Sequence, residues 1–182
     1  TTLALLALNN AFPAFKKDVN LVFIFSGIGL AIAGILQFIF LPDLQFLTKS
    51  GWDPHYFRTV STFLDPNFAG AFFTLTLILL FQNFVSSKKR HILFFEEKIS
   101  RNIIHVSLFI IVFSALLTTF SRSSYLMFLI SGLTLSLLKK SKILALLTLT
   151  LFITLLLGFQ IYTEMVSTPR HIDSKQSASF RF

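Results

Sequence analysis

Long apolar runs separated by short polar clusters set the frame of this chain. Leu21 to Leu41 stays apolar over about 20 residues, the length a helix needs to cross a hydrocarbon core of about 30 Å. The same pattern returns from Asp65 to about Val85, Ile103 to about Thr119, Leu126 to Leu138 and Ile143 to about Tyr162, while Thr1 to about Phe15 reads as the tail of a further helix closed by Lys16-Lys17-Asp18. Together these runs predict an all-α, polytopic transmembrane bundle of about six spans over residues 1–162, followed at 163–182 by the polar start of a truncated extracytoplasmic loop.

The punctuation between runs is equally patterned. Pro42-Asp43 ends one span, and a turn-rich stretch from Lys49 to Tyr56 carries aromatics suited to a membrane interface. Asp65 is placed as an N-cap with Pro66 at the first helical position, where a missing N–H costs nothing. Glu96-Glu97-Lys98 and Arg101 read as a mixed-charge surface loop or one short amphipathic helix lying on a membrane. Within the Leu21–Leu41 run, Gly27, Ala31 and Gly34 share one face, which suits close helix packing.

Composition strengthens the membrane reading. Of 182 residues, 54% are hydrophobic, 24 are Phe and only 13% are charged, with a mean hydropathy of +0.75. A soluble domain of this size needs a polar surface that such a sequence does not supply. No Met opens the chain and Thr1 starts inside an apolar run, so the sequence is expected to be an internal piece of a longer protein. Without Cys there is no disulfide or thiolate chemistry and no Cys/His metal cluster. The net charge of +8 invites a nucleic-acid partner, but the cations sit in clusters between apolar runs, where the positive-inside rule accounts for them.

Counting those cations orients the chain. With Lys16-Lys17 cytoplasmic and every span crossing once, ten basic residues fall inside and six outside. The inner ten are eight Lys and two Arg; the outer six, Lys49, Arg58, Arg122, Arg170, Lys175 and Arg181, are four Arg and two Lys. Lys suffices as a topological charge, whereas Arg offers a fork that matches a phosphate. The outer arginines are thus candidates for binding an anion such as a lipid phosphate, with the helix N-terminus at Asp65-Pro66-Asn67 adding N–H donors. Each also has a plainer account. Arg58 reads equally as a loop cation, Arg122 as an interfacial side chain snorkelling to headgroups while Ser121 and Ser123 cap a helix, and Asn67 as a stabiliser of its helix start. His105 reads as a packed or interfacial residue. His55, Glu164, His171 and Asp173 are outer groups able to accept a hydroxyl proton, none of them within a motif.

Two stretches carry a resemblance. Arg58-Thr59-Val60-Ser61-Thr62-Phe63-Leu64-Asp65-Pro66-Asn67-Phe68-Ala69-Gly70, followed by Leu116-Leu117-Thr118-Thr119-Phe120-Ser121-Arg122-Ser123-Ser124-Tyr125, resemble the bacterial O-antigen ligase and polymerase family in order and approximate spacing, over roughly residues 21–182. The resemblance implies an all-helical membrane glycosyltransferase of the bacterial cytoplasmic membrane. Its donor would be a glycan on a polyprenyl pyrophosphate, its acceptor a glycan or lipid hydroxyl at the outer face, with no metal or nucleotide required. It implies catalytic roles for Arg58 and Arg122 on the pyrophosphate, and substrate contacts for Asn67, Ser121, Arg170 and Arg181, the last two at the opening of the family's large outer loop. His171 does not fit the position of the family's proposed base. The alternative is a transporter or flippase for a lipid-linked sugar or anion, which favours cations near the bilayer midplane rather than at one face.

Overall fold

The computed structural model describes residues 13–44, 46, 51, 55–85 and 98–179. Among them there are five helices and no strand: α1 (Pro13–Phe40), α2 (Pro66–Val85), α3 (Lys98–Thr119), α4 (Arg122–Leu138) and α5 (Lys142–Ser179), with a 3₁₀ turn at Ser61–Phe63 before α2. α2 packs against α1, α3 and α4; α1 also crosses α3; α5 lies at the edge, mainly against α4. Phe73, Leu77, Val112, Leu116, Phe128 and Leu155 meet in the core.

Small residues let the helices approach closely. A side chain on Gly27 would collide with Thr76 of α2, one on Gly70 with Ser124 of α4, and one on Gly132 with Thr148 of α5. Gly27, Ala31 and Gly34 are all buried, as their shared face requires. The hydroxyls of Thr76 and Thr148 donate back to the carbonyls of Phe72 and Leu144, at 2.9 and 2.8 Å, so these buried polar groups are satisfied within their own helices.

Three expectations need correction. Six spans are not supported: among the described residues two helices, over Val19–Phe40 and Lys142–Val166, are long and apolar enough to cross a membrane, and Ile103–Thr119 and Arg122–Leu138 are apolar but shorter. At 17 residues each, Ile103–Thr119 and Arg122–Leu138 fall short of the about 20 that a hydrocarbon core of about 30 Å takes. Next, Lys16-Lys17-Asp18 do not end a helix, because α1 already runs from Pro13 through them. Residues 1–12 and the mixed-charge stretch before Lys98 lie outside the described residues. Finally, the chain does not leave the helix at 163; α5 continues to Ser179, with the Thr163 hydroxyl donating to the Gln160 carbonyl at 2.7 Å. Gln160 and Glu164 are polar without being poor helix formers, and Met165 beside them is another good one.

Candidate functional site

The site grows from the need to satisfy the backbone at the C-terminal end of α3. A helix leaves its last four carbonyls without partners, and here each finds a donor. The Thr119 hydroxyl donates to Leu116 O at 2.7 Å and the Tyr125 phenol to Leu117 O at 2.6 Å. The Thr59 amide donates to Thr118 O at 2.9 Å. Arg58 supplies the rest: its Nε donates to Thr119 O at 2.9 Å and its Nη2 to Phe120 O at 3.2 Å. A cation is well matched to the negative end of a helix. Burial pushes the Arg58 guanidinium below its ordinary value, while Tyr162, Asp65 and Tyr125 act in the opposite direction. Two of a guanidinium's five donors are engaged in this cap.

The chain reaches that position by folding back on itself after α1. Leu44 N–H donates to His55 O at 3.0 Å and Phe57 N–H to Pro42 O at 2.8 Å, an isolated antiparallel pairing around Asp43 and Tyr56. Phe57, Ser61 and Leu64, together with Phe120 across the site, adopt positive φ of 48°, 53°, 56° and 47°. Such conformations persist only where neighbouring contacts hold them. Gln37 of α1 donates to Arg58 O at 3.3 Å and accepts from Val60 N–H at 3.0 Å; Ser61 Oγ donates to Leu30 O at 2.8 Å. Gly34 makes room, because a Cβ there would lie 2.7 Å from Thr59 Cγ2.

Beside Arg58 the N-termini of α2 and α4 stand together. Asp65 caps α2, its Oδ1 accepting from the amides of Asn67 and Phe68 at 2.6 and 3.1 Å. Ser121 caps α4, its Oγ accepting from the Ser124 amide at 3.3 Å. Asn67 ties the two caps: its Oδ1 accepts from the hydroxyls of Ser121 and Ser123 at 2.7 and 3.2 Å, and its carbonyl from Ser124 Oγ at 3.2 Å. Two helix ends carrying partial positive charge are thereby fixed side by side.

Arg122, the first residue of α4, is exposed, with its guanidinium carbon 5.1 Å from the centroid of the Phe159 ring. Phe120 and Tyr162 stack at 4.1 Å and 9°, and the Tyr162 hydroxyl donates to Tyr56 O at 3.0 Å, tying α5 to the same end.

The structure therefore brings Arg58, Asn67 and Ser121 into one hydrogen-bonded assembly and places Arg122 next to it in the chain. Arg170 lies on the backbone path of α5, with its side chain outside the described residues; Arg181 lies outside them altogether. Sequence reasoning passed over Gln37, Thr118, Thr119 and Tyr162. A signal for Gln37 was present, since it is an amide near the end of an apolar run, where an unpaired polar group is expensive. Among the described residues no group of three or more His, Asp or Glu is placed to hold a metal ion. No family model matches this chain, and comparison with curated proteins and with solved structures finds no match to it.

Proposed function

We propose that this chain belongs to a membrane glycosyltransferase of the O-antigen ligase or polymerase type. It would transfer or polymerise a glycan from a polyprenyl-pyrophosphate donor at the outer face of a bacterial cytoplasmic membrane, in cell-surface polysaccharide synthesis. The observation that carries the proposal is the meeting of Arg58 with the Phe120-Ser121 turn, residues 62 apart in sequence, beside two capped helix N-termini. The two stretches behind the resemblance thus form one cluster.

The membrane part of the proposal is supported by the two long apolar helices and by large apolar side chains exposed along them, including Phe25, Ile32 and Ile39 on α1 and Ile143, Ile153 and Ile161 on α5. The pairing of glycines with Ser or Thr across helix contacts suits packing in lipid, where hydrophobicity alone does not drive helices together.

In the reaction, the bond between the anomeric carbon and a phosphate oxygen breaks, its electron pair passing to the pyrophosphate. The acceptor oxygen forms the new bond to that carbon and gives up its proton to water. Charge grows on the departing phosphate, and this cluster offers positive charge there: Arg122, the donors of Arg58 not engaged with α3, and the N-terminus of α4. Asn67 and Ser121 hold the two helix starts in register, which keeps those donors fixed before the charge develops.

The test is reconstitution of the protein in liposomes with a lipid-pyrophosphate-linked glycan and candidate acceptors, reading released lipid pyrophosphate and product size. A longer glycan or a glycosylated acceptor supports the proposal and separates polymerase from ligase. Donor crossing the bilayer intact, with no new glycosidic bond, would assign a transporter instead.

A further inference from the structure

Gln37 lies in the last turn of α1. Its amide is committed entirely to backbone: Nε2 donates to Leu41 O at 3.0 Å and to Arg58 O at 3.3 Å, and Oε1 accepts from Val60 N–H at 3.0 Å. These partners fix which way round the amide lies, because a carbonyl requires a donor and an amide N–H requires an acceptor. The two grips fall on either side of Thr59. That residue is held from the other direction by Thr118, through the amide bond at 2.9 Å and a hydroxyl pair at 2.7 Å. The main chain of Arg58 is therefore clamped between α1 and α3 just where its guanidinium must reach the end of α3.

We propose that Gln37 is a positioning residue of this site, setting the backbone of Arg58 so that its guanidinium seats on Thr119 O and Phe120 O. Its bond to Leu41 O alone would make it an ordinary cap of α1; the bonds to Arg58 O and Val60 N–H give it the further role. Val60 is 1% exposed, so its N–H has no water to replace the Gln37 oxygen. The consequence for catalysis rests on the glycosyltransferase reading above; the positioning itself does not.

The experiment is NMR on the full-length protein that contains this chain, in lipid nanodiscs, reading proton exchange at Arg58 Nε–H and at the Val60 amide, beside transfer kinetics of the same samples. Gln37→Met keeps the length of the side chain and removes its hydrogen bonds. It is expected to speed exchange at both positions by about ten-fold. Ser61→Ala, which removes a different bond between the same segment and α1, is expected to leave Arg58 Nε–H unchanged. Faster exchange at Val60 with Arg58 Nε–H as in wild type would overturn the positioning role. Should Gln37→Met fail to fold, Gln37→Glu retains an acceptor for Val60 N–H and loses only the donors. Faster exchange at Arg58 Nε–H is again expected, and unchanged exchange again overturns the proposal. In the transfer assay Gln37→Met is expected to lower kcat about ten-fold with little change in KM, through loss of a pre-set cation. An inactive wild type would sink the glycosyltransferase reading while leaving the exchange result intact. An active wild type matched by a fully active, fast-exchanging Gln37→Met would remove Gln37 from the function.

Discussion

The Ser121 hydroxyl donates to Asn67 Oδ1 at 2.7 Å, joining the first turns of two helices that lie 54 residues apart in sequence. The same oxygen accepts from the Ser124 amide, so one hydroxyl both caps α4 and ties it to α2. Ser121 is 1% exposed, and water cannot substitute for what it provides.

Ser121→Ala is therefore expected to cost about 1–2 kcal/mol, combining a lost cap with a weakened tie to Asn67. Reversible unfolding in mixed micelles measures it. Asn67→Ala should lie in the same range, and the double variant should cost less than the two singles together because they share a bond.

The glycines of α1 give a paired prediction. Gly34→Ala would put a methyl 2.7 Å from Thr59 Cγ2, forcing back the segment that carries Arg58, at a cost of about 1–3 kcal/mol. Gly29, also in α1, has nothing within 4 Å of a built Cβ, and Gly29→Ala is expected to be neutral or stabilising by up to about 1 kcal/mol. Equal destabilisation by both would contradict the close approach of Gly34 to Thr59. Thermal unfolding of the two variants side by side reads the difference.

Arg58 and Arg122 should fail in different ways. Arg58→Lys replaces a fork that serves two carbonyls with a point charge, so stability and activity should fall together, stability by about 1–2 kcal/mol. Arg122 is exposed and rests on one ring, and Arg122→Lys is expected to change stability by less than about 0.5 kcal/mol. Unfolding midpoints and kcat measured on the same preparations distinguish the two patterns.

Asp65→Ala removes the acceptor of two amides and is expected to destabilise by about 1 kcal/mol, whereas Asp65→Asn keeps most of the cap. Comparing the two variants by circular dichroism during unfolding checks whether the oxygen, rather than the charge, carries the effect.

What the sequence made legible was local. Asp65-Pro66 and Ser121 announce helix starts because a cap and its amides lie within three residues of each other. The packing face of Gly27, Ala31 and Gly34 followed from helical period alone. The meeting of Arg58 with Phe120 was legible only through two stretches taken together, since nothing in either names a partner 62 residues away. Gln37 was missed for the same reason: its partners at Arg58 and Val60 lie 21 and 23 residues on, in a loop of no regular period. The span count went astray because the apolar runs ending at Thr119 and Leu138 lie in helix segments of 17 residues, shorter than a bilayer core takes. The helix beyond Tyr162 was missed because polarity was taken for a loop, although backbone hydrogen bonding in a helix does not depend on apolar side chains.

Cations at this end of the bundle are proposed to stabilise a departing lipid pyrophosphate. The most direct measurement is single-turnover release of lipid pyrophosphate from a glycan donor in liposomes, for wild type and Arg122→Ala at matched folding and insertion. Release by the wild type is expected to be coupled to a new glycosidic bond, and to fall about 10²–10³-fold in Arg122→Ala. Release at the wild-type rate without Arg122, or no release from any lipid-pyrophosphate glycan, would contradict the proposal.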